Sequence, residues 1–129
     1  MFSHFTLGSN DLDRSLSFYN GVMGALGQAL VYEDIDVGYL MYAPPDKSYP
    51  HLFICRPVDG LPATWSNGFH IAYNAPDTST VDRFFEAAVS RGGYNEGEPG
   101  YRTQYEADYY GAYVRDPDGN KLQAVCREP

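Results

Sequence analysis

Histidine is scarce in this chain, at three in 129 residues. Two of the three stand in matching surroundings. Residues 3–11 read SHFTLGSND and residues 68–77 read GFHIAYNAPD. His4 and His70 lie 66 positions apart, about half the chain, and each is followed seven residues later by an aspartate, Asp11 or Asp77. Between histidine and aspartate runs a short apolar stretch. A neutral imidazole can ligate a metal, donate or accept a hydrogen bond, or carry a proton near pH 7. Two imidazoles at equivalent places in a repeated unit suit a divalent metal if both face one cleft. The other reading is that they bond to each other, to water or to an organic ligand in a metal-free pocket.

The elements around the histidines repeat as well. FSHFTLG (2–8) reads as a strand and DLDRSLSFYNGVMG as a helix with Leu12, Leu16, Tyr19 and Met23 on one stripe. Three strand-like runs follow at 28–34, 38–44 and 51–57. A Gly- and Pro-containing connector, VDGLPATWSN, spans 58–67. The pattern then restarts with a strand at 69–75 and a helix, TSTVDRFFEAAVSR, carrying Val81, Phe84, Phe85, Ala88 and Val89 on one face and stopped by Gly92 and Gly93. The stretch YNEGEPGYRTQYEAD holds a strand and a Gly-rich loop. Residues 109–115 and 120–127 form a hairpin around Asp116-Pro117-Asp118-Gly119. The expectation is one domain: module one at about 1–57, a linker at 58–67 and module two at about 68–129, each module strand–helix–strand–strand–strand.

Alternation along the strands assigns faces. Phe5 and Leu7 share the helix side, and His4 and Thr6 the other. Phe69, Ile71 and Tyr73 share the helix side, and His70, Ala72 and Asn74 the other. In the hairpin, pairing of Asp116 with Asn120 sets Tyr113 opposite Gln123. Ala112, Val114, Leu122 and Ala124 then form the apolar face, with Cys126 buried beside them. Tyr109, Gly111, Tyr113, Arg115, Lys121 and Gln123 form the polar face. Polar sets from three strands thus line one cleft, with Tyr113 and Tyr109 as phenol donors. Arg102, in the loop PGYRTQY, is a candidate to bind an anionic substrate from a loop expected to close over the site. Arg115 and Lys121, opposite one another at the hairpin mouth, attract an anionic substrate or simply solvate the rim.

Composition limits the partners. The net charge of −8 argues against nucleic acid and anionic membranes, since no basic stripe is present to displace counterions. No run approaches a membrane span. Apolar residues make up 43%, enough for a folded core, and 12 tyrosines suit a wet pocket or an interface. The two cysteines form no CxxC pair and no disulfide framework, and the N-terminus lacks the basic start of a signal peptide. A cytoplasmic protein is the expectation.

SHFTLGSNDLDRSLSFYNGVMG, GFHIAYNAPD and DPDGNKLQAV together resemble the vicinal oxygen chelate superfamily, which contains glyoxalase I, extradiol dioxygenases, fosfomycin-resistance enzymes and bleomycin-binding proteins. The resemblance covers nearly the whole chain and implies an α+β fold: two tandem βαβββ modules forming a cupped eight-stranded mixed sheet with helices on the convex face. It implies a homodimer that handles a small molecule in the cup. It also implies one divalent metal (Fe, Mn, Ni or Zn) held by His4, His70 and Gln123. Metal-dependent members usually carry Glu where Gln123 stands. The fourth position falls on Phe53, or on Leu52 if the register shifts, and His51 lies nearer the strand start. An amide in place of a carboxylate gives up charge neutralisation and cannot serve as a proton-abstracting base. Two functions follow: a metal-dependent lyase or dioxygenase with a degenerate site, or a metal-free, drug-sequestering binding module.

Overall fold

The computed structural model describes residues 1–127, so the expected end of module two at 129 lies outside the described residues. The element order is β1 (His4–Gly8), α1 (Leu12–Ala25), β2 (Ala29–Asp34), β3 (Tyr39–Ala43), β4 (His51–Cys55), β5 (Ile71–Asn74), α2 (Thr78–Ser90), β6 (Tyr94–Tyr101), β7 (Tyr110–Arg115) and β8 (Lys121–Cys126). This is the expected tandem repeat. Asp11 and Asp77 are the equivalent helix caps: Asp11 accepts from the Arg14 amide at 3.0 Å and Asp77 from the Thr80 amide at 2.7 Å. Each satisfies a donor that the first helical turn leaves open.

The eight strands form two four-stranded sheets rather than one continuous sheet. Sheet A has the order β1-β4-β3-β2 and sheet B the order β5-β8-β7-β6. In each, the first strand runs parallel to the last and the other pairs are antiparallel. β1 and β5 are edge strands, and neither touches the other module's strands. The modules' regular elements meet where α1 packs on α2, because each helix carries more apolar surface than its own sheet can cover. One core therefore runs from sheet A through the two helices to sheet B, with Leu40, Ile54, Phe18, Val22, Phe84 and Leu122 among its fully buried members.

The expected faces hold for Leu7, Ile71, Ala112, Val114, Leu122, Ala124 and Cys126, all in the core. Phe69 differs. It lies ahead of β5 and is exposed, because the strand begins only at Ile71 and the alternation does not yet bind it. Val89 is exposed as well, near the end of α2. No helix among the described residues is long and apolar enough to cross a membrane.

Candidate functional site

Each sheet turns one face away from its helix. On sheet A this face starts with His4 and Thr6 of β1. The parallel register sets His51 beside His4 and Phe53 beside Thr6, and β3 adds Met41 beside Phe53 and Tyr39 beside Cys55. The result is an aromatic floor. His4 meets Phe53 edge-on at 5.3 Å, Tyr39 lies 6.2 Å from Phe53, and Tyr32 stacks on Tyr39 at 5.1 Å. The His4 Nδ1 is 2.8 Å from the Ser3 hydroxyl. His51 Nε2 donates to the Lys47 carbonyl at 3.0 Å. A carbonyl can only accept, so the proton sits on Nε2. A cavity of about 680 Å³ opens at the end of this face, lined by Thr6, Tyr39, Cys55, Arg56 and Val58 among others. A second of about 300 Å³, lined by His4, Thr6, Tyr39, Phe53 and Cys55, shares three of those residues. Together they make one trough along the sheet. Burial pushes the Cys55 thiol up, away from the reactive thiolate.

Sheet B is covered where sheet A is bare. Tyr113 lies opposite Gln123 in the β7–β8 ladder and Arg115 opposite Lys121, as the hairpin spacing predicts. Gln123 is fully buried. Its Nε2 donates to the Tyr109 hydroxyl at 2.6 Å, and its Oε1 is buried without a hydrogen-bond partner. Tyr109 belongs to the segment that folds over the sheet between β6 and β7. Tyr105 packs edge-on against it at 5.2 Å, and the Arg127 guanidinium lies 5.0 Å from its ring, itself paired with Glu106 at 3.1 Å. Arg102 holds the start of this segment, donating to the carbonyls of Gly100, Gly111 and Glu98 at 2.8, 2.6 and 2.8 Å. Gly97 lets it in: a Cβ there would lie 3.0 Å from Arg102 Nη2 and 3.2 Å from the Tyr113 ring. Tyr113 sits at the centre of this face. The His70 ring meets it edge-on at 5.6 Å, and Lys121 Nζ and the Arg102 guanidinium lie 4.9 and 5.4 Å from its centroid. Burial, then the neighbouring Tyr109 and Tyr105 hydroxyls, push its phenol up to about 12. Arg115 donates to Glu96 at 2.7 Å and to the Gly119 carbonyl at 2.8 Å, and stacks on Trp65.

The registers make Phe53 the counterpart of Gln123. Thr6, two residues after His4, pairs with Phe53, and Ala72, two residues after His70, pairs with Gln123. One module thus presents an imidazole and a phenyl ring, the other an imidazole and a sealed amide. His4 and His70 stand on sheets that do not touch within the chain. Among the described residues no three His, Cys, Asp or Glu side chains come together in a metal-binding group. None of the three expected donors is a carboxylate, and Gln123, whose Oε1 would have to take a carboxylate's place, is sealed in a fully buried position beneath Tyr109. As arranged in a single chain, these residues do not fit a divalent metal.

A polar cluster built on the turn expected at Asp116-Pro117-Asp118-Gly119 joins the modules. Asp116 is fully buried and accepts from the Tyr19 hydroxyl at 2.5 Å, from the Asn120 amide and side chain at 2.9 and 2.8 Å, and from the Asp118 amide at 2.9 Å. Burial raises the Asp116 carboxyl and, beside it, the Tyr19 phenol. Asn120 also donates to the Gly8 carbonyl at 3.0 Å, and Asp118 takes the Asn10 amide and the Arg14 guanidinium at 3.0 and 2.8 Å. The hairpin turn of module two therefore clasps the end of β1 and the start of α1. The signal was present in the two aspartates of DPDGN, but their partners lie roughly a hundred residues away.

The arrangement has relatives among solved structures. A glyoxalase/bleomycin resistance protein from Albidiferax ferrireducens T118 is 36% identical, with a TM-score of 0.85 over 98% of each chain. A glyoxalase-related enzyme from Fulvimarina pelagi is 21% identical with a TM-score of 0.74, covering 98% of this chain and 87% of that one. The lactoylglutathione lyase from Agrobacterium tumefaciens is 19% identical with a TM-score of 0.64, covering 98% and 92%. These last two share the fold alone. No curated protein matches the chain. With two βαβββ modules, this likeness and a sequence match over residues 1–124, the chain belongs to the Glyoxalase/Bleomycin resistance protein/Dioxygenase superfamily.

Proposed function

We propose that the protein is a homodimeric small-molecule-binding module that works without a catalytic metal. The observation that carries this reading is that the faces turned away from the two helices stand apart, with Gln123 sealed beneath Tyr109 on one of them. Each bears one of the paired histidines and a set of aromatic rings, yet they share no contact within the chain. A cleft between them needs the sheet of a second copy. There, His4, Phe53 and Tyr39 of one protomer would line one wall and His70 and Tyr113 of the other protomer the opposite wall. Aromatic walls favour a flat, largely apolar ligand. Arg102 and Tyr109 hold the covering segment in place, and Arg115 braces the hairpin and the linker.

The second reading is a metal-dependent enzyme of the family with His4, His70 and Gln123 as ligands to Fe, Mn, Ni or Zn. The repeat-equivalent placement of the histidines and the unpartnered Oε1 of Gln123 favour it, and it requires the covering segment to open over that buried oxygen. A bound divalent ion would act as a Lewis acid on a substrate with paired oxygens.

The deciding experiment is metal analysis of untagged protein beside the double variant His4→Ala/His70→Ala, with sedimentation to give the oligomeric state. The binding-module reading expects dimers with far less than one metal per chain in both proteins. Near-stoichiometric metal that vanishes in the double variant overturns it in favour of the enzyme. A monomer at all concentrations removes the shared cleft.

A further inference from the structure

The trough on sheet A ends in a charged group to which the binding-module reading assigns no role. Arg56 follows β4 directly and lines the 680 Å³ cavity. Its Nη2 donates to the carbonyls of Ile35 and Asp36 at 2.8 and 2.7 Å, which fixes the guanidinium against the β2–β3 turn. Gly38 allows this: a Cβ there would lie 3.1 Å from Arg56 Nε and Nη2. The remaining N–H groups have no hydrogen-bond partner, and no carboxylate pairs with Arg56 among the described residues. It is the one ionic side chain among those lining the cavity. The rest of the lining is mainly apolar: Tyr39, Pro57, and two strongly exposed valines, Val37 and Val58. In a protein of net charge −8, a positioned, unpaired arginine beside exposed apolar side chains is an anion-selective feature.

We propose that this end of the trough is a carboxylate subsite. The molecule bound would be an organic acid with an aromatic or otherwise apolar body, its carboxylate on Arg56 and its body along Tyr39 and Phe53. The inference rests on the binding-module reading and specifies its ligand class. Arginine suits the task because its charge is permanent, its Nη1 N–H groups stay available to donate to a carboxylate once Nη2 is anchored on the two carbonyls, and its fixed position lowers the entropy lost on binding.

The test uses the full chain and two probes of nearly equal shape, 2-naphthoate and neutral 2-naphthalenemethanol, titrated by calorimetry. Wild type should bind the acid about tenfold more tightly, the advantage expected of a hydrogen bond to a charged group. Arg56→Gln should bring the two affinities together, and Arg56→Lys, which keeps the charge without the carbonyl-anchored guanidinium, should leave part of the preference. Lys121→Gln, on sheet B, should leave the preference intact. Because the probes are compared on wild type first, a poorly folded variant does not remove the test. Equal binding of both probes overturns the subsite and leaves small-molecule binding standing. A preference that survives Arg56→Gln, or that Lys121→Gln abolishes, places the anion elsewhere and overturns it too. Binding of neither probe overturns both the subsite and the reading beneath it.

Discussion

The two sheets descend from one plan and have diverged on their open faces. Both are four-stranded with the same strand order, and both set a histidine at the head of their edge strand, His4 opening β1 and His70 just ahead of β5. Sheet A leaves that face bare, with Phe53 and Tyr39 accessible beside His4. Sheet B folds the Arg102–Tyr109 segment over it and seals Gln123 beneath a tyrosine. The difference starts in the equivalent β2–β3 and β6–β7 connections: four residues join Asp34 to Tyr39, whereas eight join Tyr101 to Tyr110 and are tied back by Arg102 onto their own sheet. Sheet A is built to receive something, and sheet B already holds part of its own chain. Equivalent positions in a repeat thus carry different chemistry once a loop decides which of them meet solvent.

The largest effect should come from what the two halves share. Replacing Asp116 with Ala leaves the Tyr19 hydroxyl and three further donors around a buried gap. A loss of about 4 kcal/mol is expected by urea unfolding, since buried donors without acceptors retain their desolvation cost. A loss under about 1 kcal/mol would mean that the helix contact alone joins the modules.

High pH should expose both halves together. Tyr19, Tyr42 and Tyr73 are buried or nearly so, and burial holds each phenol well above its ordinary value. Below about pH 10 both folded and unfolded chains keep these protons, and the shift contributes nothing. Above it the unfolded chain loses them first, unfolding releases protons, and stability falls by up to about 4 kcal/mol per pH unit for three groups. Tyr73→Phe should reduce that slope by about a third at little cost near neutrality, because the Tyr73 hydroxyl is buried without a partner. Tyr42→Phe, which loses a 2.9 Å bond to Asn20, should cost about 1 kcal/mol.

Gln123 tests the seal directly. Gln123→Glu places an unpaired carboxylate in a fully buried position and should cost about 3 kcal/mol at pH 7, with the loss shrinking as acid protonates it. If Gln123→Glu is instead neutral and gains bound metal, the covering segment opens readily and sheet B is as receptive as sheet A. Gln123→Leu should change stability by less than about 1 kcal/mol, since it removes a half-satisfied amide together with its unpaired oxygen.

The smallest stability effect belongs to sheet A. Phe53→Leu, on the bare face, should shift the midpoint by less than about 0.5 kcal/mol while weakening naphthoate binding severalfold. A large stability loss would show that this face is packed rather than open, and the contrast between the sheets would fail.

Legible in the sequence were the repeat, the aspartates Asp11 and Asp77 that open the two helices, the register of Tyr113 against Gln123, and which side of β1, β5 and the β7–β8 hairpin enters the core, Phe69 apart. These are local matters: a strand alternates with period two, a helix stripe recurs every three or four residues, and a short turn fixes its own hairpin. The family was legible for the same reason, through motifs that record local geometry. It took the folded chain to show that β1 and β5 stay apart in one chain, that Tyr109 takes the Gln123 amide nitrogen, that Arg102 is spent on carbonyls, and that Asp116 ties the hairpin to Tyr19. Folding also brought Arg56 to the end of the aromatic trough. Each of these depends on which distant surfaces meet and which polar groups lose their water when they do. Neither composition nor spacing encodes that, because it is settled by packing across the whole molecule.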